Sequence, residues 1–187
     1  MTSIIKADNI STVSGSGNIT IPTGVKVVGT DSGSIVAPGH VVQVVKRITN
    51  GGKGTTSGTF VDVGQYIDIT PKFANSLILV SWSALFYVNG AAVGYATVFR
   101  TLTGGSAVNM YNNGDYDTNP STESLLQMYG GNTTYFPGSI RFMDTTHNTT
   151  NSIRYSVYLR NSNSAMEVYF PPGSSDATTI TAMEIAQ

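Results

Sequence analysis

Two carboxylates, Asp115 and Asp117, are the best candidates in this sequence for a catalytic or metal-binding pair. They lie in the segment NNGDYDTNP. Together with Asn112 and Asn113, they could offer several oxygen ligands to a hard cation. The segment lacks the twelve-residue ligand spacing and the terminal Glu of a calcium loop, so a hydrogen-bonded surface turn is favoured. Glycoside hydrolysis by this pair is also disfavoured, because nothing nearby resembles the apolar pocket that would raise one carboxyl pKa.

The two histidines are the other candidates for proton transfer near neutral pH. His40 follows Ala-Pro-Gly, where a structural hydrogen bond is the favoured role. His147 lies in the polar segment DTTHNTTN, where a solvated side chain is favoured. The sequence contains no Gly-x-Ser-x-Gly elbow, phosphate-binding loop or His-Glu-x-x-His motif. We therefore predict no enzymatic activity, no catalytic residue, no cofactor and no metal site.

Saccharide binding is the chemistry that the loops favour most. Glycan sites set aromatic rings against sugar C–H groups and use amides, carboxylates and hydroxyls to bind sugar hydroxyls, and binding residues commonly lie on loops carried by a rigid scaffold. The loops at 103–122 and 129–151 combine these residue types. The predicted receptor- or glycan-binding residues are Tyr111, Asn112, Asn113, Asp115, Tyr116, Asp117, Asn132, Tyr135 and His147. The alternative is that the tyrosines pack at a sheet edge or between subunits.

The composition excludes several other partners. Charged residues make up 11% of the chain, against roughly 25% in an average soluble domain, and the net charge is −1. Nucleic acid is disfavoured because its binding needs clustered basic residues, whereas the ten Lys and Arg are scattered. The absence of cysteine excludes disulfides. The N-terminus predicts no signal peptide, and the apolar run at 77–88 is too short to span a membrane.

Short strands separated by turn residues account for most of the sequence after residue 40. Apolar and polar residues alternate with a period of two, and Asn-Gly, Gly-Gly and Pro-Pro-Gly sequences separate the segments. A strand or irregular loop is favoured over a helix at 121–129. The predicted strands are 41–48, 59–70, 76–88, 93–102, 106–111, 134–144, 152–161, 166–170 and 178–186. This pattern predicts an all-β fold, an antiparallel sandwich or jelly roll.

The predicted strand at 76–88 has apolar side chains on both of its faces. We expect it to be covered twice, once by its own core and once by a neighbouring subunit. Trp82 of this strand is expected to be buried, with its indole N–H bonded to the backbone.

The N-terminal 40 residues have a different residue pattern, in which β-branched residues lie between frequent Gly, Asn and Asp. One such hairpin is only marginally stable, but three copies around one axis could stack their apolar residues inward and close the exposed strand edges. We therefore predict a trimeric β-stem at 1–40 and a knob at 41–187. The alternative is a flexible linker. The predicted stem residues are Ile10, Val13, Ile19, Ile21, Val25, Val27 and Ile35.

The segment ISTVSGSGNITIPTGVKVVGTDSGSIVAPGHVVQVV resembles the stem of bacteriophage fibre and virion structural proteins, especially those of marine and cyanobacterial phages. FVDVGQYIDITPKFANSLILVSW and ITAMEIAQ resemble strands of the knob in that family. The resemblance implies a homotrimeric, surface-exposed virion fibre or spike. Its N-terminus would attach to other virion proteins and its jelly-roll knob would bind the host surface, without membrane insertion. The alternative is a head decoration or tail-assembly protein that binds only other virion proteins. The family offers no catalytic motif.

Overall fold

The computed structural model describes residues 22–24, 28, 36–112, 124–131, 134–164, 167–171 and 177–187. The chain divides into two compact units, Met1–Ile35 and Val36–Gln187. All seven predicted stem residues lie outside the described residues. The trimeric stem therefore stays a prediction, and the account below concerns the second unit.

Strands dominate the described part of this unit. They are β1 Val41–Thr49, β2 Lys53–Thr55, β3 Val61–Ile69, β4 Leu77–Val88, β5 Val93–Leu102, β6 Ala107–Asn109, β7 Leu126–Tyr129, β8 Thr134–Asp144, β9 Ile153–Asn161, β10 Val168–Phe170 and β11 Thr178–Ile185, with one 3₁₀ turn at Met110–Asn112. Each of the nine predicted strands is found. β7 lies in the segment 121–129, for which the sequence favours a strand or irregular loop over a helix, and β2 is additional. No helix among the described residues is long and apolar enough to cross a membrane.

The strands form two antiparallel sheets. In sheet A the order is β1-β11-β4-β8, and β10 followed by β2 continues the sheet beside the far end of β4. In sheet B the order is β3-β9-β5, with β6 and β7 both paired to the remaining edge of β5. From β2 to β5 and again from β7 to β10, consecutive strands lie in alternate sheets, so the chain passes repeatedly between the two sheets as in a jelly roll. The predicted all-β, jelly-roll fold class is confirmed.

The core lies between the inner faces of the two sheets, as the alternation of residues predicts. The fully buried side chains of β9 are Ile153, Tyr155, Val157 and Leu159, and those of β4 are Ile78, Val80, Trp82, Phe86 and Val88. Trp82 is 1% exposed and its ring stacks on Phe142 at 6.3 Å between centroids. Its indole N–H has no acceptor among the described residues. The expectation of a backbone acceptor is therefore wrong, because carbonyls engaged in the sheet ladder point along the sheet whereas the ring stands perpendicular to it.

A buried carboxylate fixes the turn between β3 and β4. Glu184 of β11 is fully buried beside the core residues of its strand. It accepts hydrogen bonds from the backbone N–H groups of Lys72 and Phe73 at 2.9 Å. The side chains of Ser76 and Gln43 donate to it at 2.8 and 2.6 Å. Burial by itself raises the pKa of this carboxyl, but the four donors outweigh burial, so the pKa is lowered.

The start and the end of this unit are paired through the backbone. Gly39 N–H donates to Ala186 O at 2.8 Å, and Ala186 N–H donates to His40 O at 2.9 Å. The imidazole of His40 is exposed. The structural hydrogen bonds at His40 are therefore made by its backbone.

Candidate functional site

The structure places the described members of the predicted glycan site in three different parts of the jelly roll. Tyr135 lies on the outer face of sheet A, where its ring packs on Tyr87 with 5.0 Å between centroids. Tyr111 lies in the 3₁₀ turn that follows β6 of sheet B, and its N–H donates to the side chain of Asn109 at 3.1 Å. The third, His147, lies in the segment between β8 and β9. These three residues are not brought together.

The expectation of a solvated His147 is wrong, because the side chain is 2% exposed. The segment after β8 folds back on the turn between β3 and β4, so that His147 Nε2 lies 3.4 Å from Phe73 O. The next residue, Asn148, adopts a φ of 45°, which turns the chain at this point. His147 is thus part of the packing beneath this turn.

The remaining predicted site residues lie outside what the structure describes. They are Asn113, Asp115, Tyr116, Asp117 and Asn132, together with the side chain of Asn112. Their binding role stays a prediction. Among the described residues, no group of three or more acidic or histidine side chains could hold a metal ion.

The outer face of sheet B carries rings and guanidinium groups in contact with one another. Phe99 of β5 stacks on Tyr158 of β9 with 4.0 Å between centroids, and Phe60 meets Phe99 edge-on at 6.0 Å. The guanidinium of Arg160 lies 4.1 Å from the ring centre of Tyr95. All of these side chains are half-buried. We name the group the aromatic–arginine strip.

At one end of this strip, a tyrosine ring lies between two guanidinium groups. Arg47 reaches across from β1 of sheet A to 3.8 Å from the ring centre of Tyr66, and Arg154 of β9 lies at 3.9 Å. Arg154 also donates from Nε and Nη2 to the two carboxylate oxygens of Asp68, at 2.8 and 3.0 Å. The hydrogen bonding of Arg154 to the Asp68 carboxylate is the main cause of the raised pKa of Arg154. Both partners of this ion pair remain exposed to solvent.

A shallow cleft of about 280 Å³ opens beside this ion pair. It is lined by Asp68, Thr101, Leu102, Thr103, Gly104, Gly105, Ser152 and Arg154, and we name it the Asp68 cleft. Thr103 Oγ1 donates to Ser152 O at 2.8 Å and ties the two loops of the cleft together. Residues 103–105 and 152 lie within or next to the loops in which the sequence predicts binding. The cleft therefore combines hydroxyls with one exposed carboxylate and one exposed guanidinium.

The aromatic–arginine strip and the Asp68 cleft were not predicted from the sequence, although the sequence contains one signal for them. Alternation along SIRYSVYLRN places Arg154, Tyr158 and Arg160 on the outward face of β9. Their partners come from β3 and β5, and the register gives Asp68 opposite Arg154 and Tyr95 opposite Arg160. Which residues stand opposite each other depends on pairing between distant segments, and alternation within one strand does not define that pairing.

The outer face of sheet A has a different character. One apolar row crosses four strands through Val44, Met183, Leu79 and Met143. A second lies at the other end of β4 and consists of Leu85, Pro137, Tyr87, Tyr135 and Tyr169. We name these nine residues the apolar face. Val44 and Tyr135 are 55% and 56% exposed. The side of β4 expected to be covered by a neighbouring subunit thus remains partly exposed in the single chain.

No family model and no curated protein matches this chain. Among solved structures, it aligns over 87% of its length with a chain of the T13 particle of infectious bursal disease virus, at 9% identity and a TM-score of 0.43. It also aligns over 87% of its length with a chain of the T=1 particles derived from this virus, at 10% identity and a TM-score of 0.43. The alignment with the VP2 subviral particle likewise covers 87% of this chain, at 10% identity and a TM-score of 0.41. The alignments cover 40%, 41% and 42% of the viral chains. Similarities this low carry no inference about function.

Proposed function

We propose that this chain is the subunit of a homotrimeric virion fibre. Residues 1–40 attach it to the particle, and the jelly roll at 41–187 binds glycan on the host surface. The observation that carries the proposal is the apolar face of sheet A. A single chain leaves this face partly exposed to water, whereas the opposite side of the same sheet packs into the core.

The outer side of sheet A, which carries the apolar face, is about as large as one side of a stable interface between subunits. β4 has 12 residues, which at ~3.4 Å per residue span about 40 Å. Four strands lie side by side at each end of β4, which gives a width of roughly 19 Å at ~4.8 Å per strand. The outer side of sheet A, including the polar rows between the two parts of the apolar face, therefore covers on the order of 750 Å², close to the ~800 Å² that each partner buries in a standard interface. A second copy of the chain is the occupant that we assign to it.

The charges on this face favour threefold over twofold symmetry. Lys46 and Arg141 lie at the two ends of one cross-strand row, between the two apolar rows. A twofold interface sets the same patch against itself and would bring both cations of each copy into one contact. A threefold contact sets the face against a different surface of the next copy, so like charges need not meet.

The host-binding part of the proposal is supported by the outer face of sheet B. The aromatic–arginine strip and the Asp68 cleft lie on the opposite side of the sandwich from the apolar face, so covering the apolar face does not itself cover them. Three knobs on one stem would engage a surface at high effective concentration, which converts weak single contacts into avidity. Hydrogen bonds and ring contacts are also little screened by salt.

Light scattering of the full-length protein tests the assembly. The expected mass is three times 19.8 kDa. Val44→Glu should dissociate the trimer, because it places a carboxylate in the apolar face. Val108→Glu is the matched control, since Val108 is 45% exposed on β6 of sheet B. A monomeric wild-type protein, or a trimer that Val44→Glu leaves intact, would contradict the proposal.

Adhesion to host cells tests the second half. The labelled full-length trimer should bind host cells, and excess unlabelled protein should compete. Binding to purified capsids or tails with no binding to any host cell would instead identify a head decoration or tail-assembly protein.

A further inference from the structure

We propose that the Asp68 cleft binds one residue of a neutral saccharide through its hydroxyl groups. This inference rests on the proposed glycan-binding role of the jelly roll and assigns that role a site. The site differs from the loop tyrosines and acids that the sequence indicates, because it is built mainly from strands β3, β5 and β9 and the ends of the loops that follow β5 and precede β9.

The hydrogen-bonding groups of the cleft suit a polyol. The two oxygens of Asp68 offer about four acceptor positions, of which Arg154 takes two. Arg154 Nη1 takes no part in this pair. The hydroxyls of Thr101 and Ser152 can each donate and accept, and Thr103 Oγ1, which already donates to Ser152 O, can still accept. A carboxylate that accepts, a guanidinium that donates and flanking hydroxyls that do both match the alternating donors and acceptors of neighbouring sugar hydroxyls.

The charge of the cleft favours a neutral ligand over an acidic one. Arg154 is the only cation in its lining, and it already donates two hydrogen bonds to the only carboxylate there, Asp68. The pair has no net charge, and an acidic sugar that reached Arg154 Nη1 would bring its own carboxylate close to that of Asp68. A neutral hydroxyl pair can instead bridge the two side chains without breaking the ion pair.

The volume and surroundings indicate how much saccharide is bound. About 280 Å³ lies just below the range of roughly 300–1,000 Å³ that is usual for sites of drug-sized ligands, so the cleft suits a single sugar ring. Thr101 of the cleft lies on the same outward face of β5 as Phe99 and Tyr95. Six residue steps, or about 20 Å, separate Thr101 from Tyr95, so the aromatic–arginine strip extends beyond one ring and can contact further residues of a saccharide chain.

Saturation-transfer NMR with the full-length protein tests the assignment. The probes are the methyl glycosides of glucose, galactose, mannose and N-acetylglucosamine, with glucuronate as the acidic probe. At least one neutral glycoside should bind, and Asp68→Asn should weaken that binding at least tenfold, because the amide presents donors to Arg154. Thr101→Val, which removes one hydroxyl, should weaken it several-fold. Asp62→Asn is the matched control on the same strand, since an amide oxygen can still accept from Gly64 N–H as the carboxylate does at 2.7 Å.

Three results of the NMR experiment would overturn the assignment. The first is that no neutral glycoside shows saturation transfer. The second is that glucuronate binds more strongly than the neutral glycosides. The third is that Asp68→Asn leaves glycoside binding unchanged although this variant unfolds like the wild type. The cell assay separates this failure from that of the proposed function. Host-cell adhesion that survives Asp68→Asn removes the cleft as the glycan site and leaves the adhesive role standing, whereas a wild-type protein that binds no host cell contradicts that role itself.

Discussion

Arg100 of β5 and Asp144 of β8 form an ion pair that joins the two sheets through the core. Arg100 Nη1 lies 2.8 and 2.9 Å from the two carboxylate oxygens, and Asp144 is fully buried. Tyr155 O–H and Thr146 N–H donate to the same carboxylate at 2.6 and 2.9 Å. Burial, followed by the charge of Asp144, raises the pKa of Tyr155, so its phenol stays protonated and remains a donor. This network fixes the position of sheet A relative to sheet B.

Removing the charge of Asp144 should therefore destabilise the fold strongly. Asp144→Asn leaves Arg100 buried without its counter-charge, and breaking one side of a buried pair costs about 3–5 kcal/mol. The matched control is Asp68→Asn in the exposed pair with Arg154, which should cost at most about 1 kcal/mol. Denaturant unfolding followed by the fluorescence of Trp82, the only tryptophan, measures both losses. Equal losses in the two variants would show that the buried ion pair contributes no more to the free energy of unfolding than the exposed one.

The buried Glu184 predicts a loss of stability in acid. Its pKa in the folded protein lies below the ordinary value of 4.5, so the unfolded chain binds the proton first as the pH falls. The stabilisation is complete above the unfolded pKa and is lost as the pH falls through the folded pKa. Glu184→Gln should be less stable than the wild type near neutral pH, and the gap should close below about pH 4.5. A gap that stays constant from pH 6 to pH 2.5 would contradict the assignment.

The positions of the strands could be predicted from the sequence because each strand carries its own signal. Alternation assigns the buried face of β9, and Asn-Gly turns mark where strands end. β2 was missed because Lys53–Thr55 has three residues and shows no alternation. The Asp68 cleft could not be predicted for another reason. Asp68, Thr101 and Arg154 belong to three strands, and only the register between them brings the side chains together.

Gly52 lies so close to the backbone of Pro171 that we predict a strict requirement for glycine at position 52. A Cβ on Gly52 would lie 1.4 Å from the carbonyl oxygen of Pro171, so one backbone segment must move. Gly52→Ala should lower the free energy of unfolding by about 1–3 kcal/mol or more. Gly58→Ala is the control, because a Cβ there meets nothing within 4 Å. Thermal unfolding compares the two, and a Gly52→Ala protein as stable as the control would contradict this approach.

The position of Tyr66 between Arg47 and Arg154 predicts a stabilising role for its ring. Each exposed cation–π contact contributes about 0.5–1 kcal/mol, so Tyr66→Leu should cost about 1–2 kcal/mol. The hydrogen bond from Arg47 Nη1 to Tyr66 O, at 3.1 Å, involves the backbone and survives the substitution, so the loss reports on the ring alone. Tyr129→Leu is the matched control, because Tyr129 is 69% exposed and its hydroxyl donates only to the nearby Gln127, so its loss should stay within about 0.5 kcal/mol. If Tyr66→Leu costs no more than this control, the two guanidinium groups draw no stability from the ring, and Arg154 is held in place by Asp68 alone.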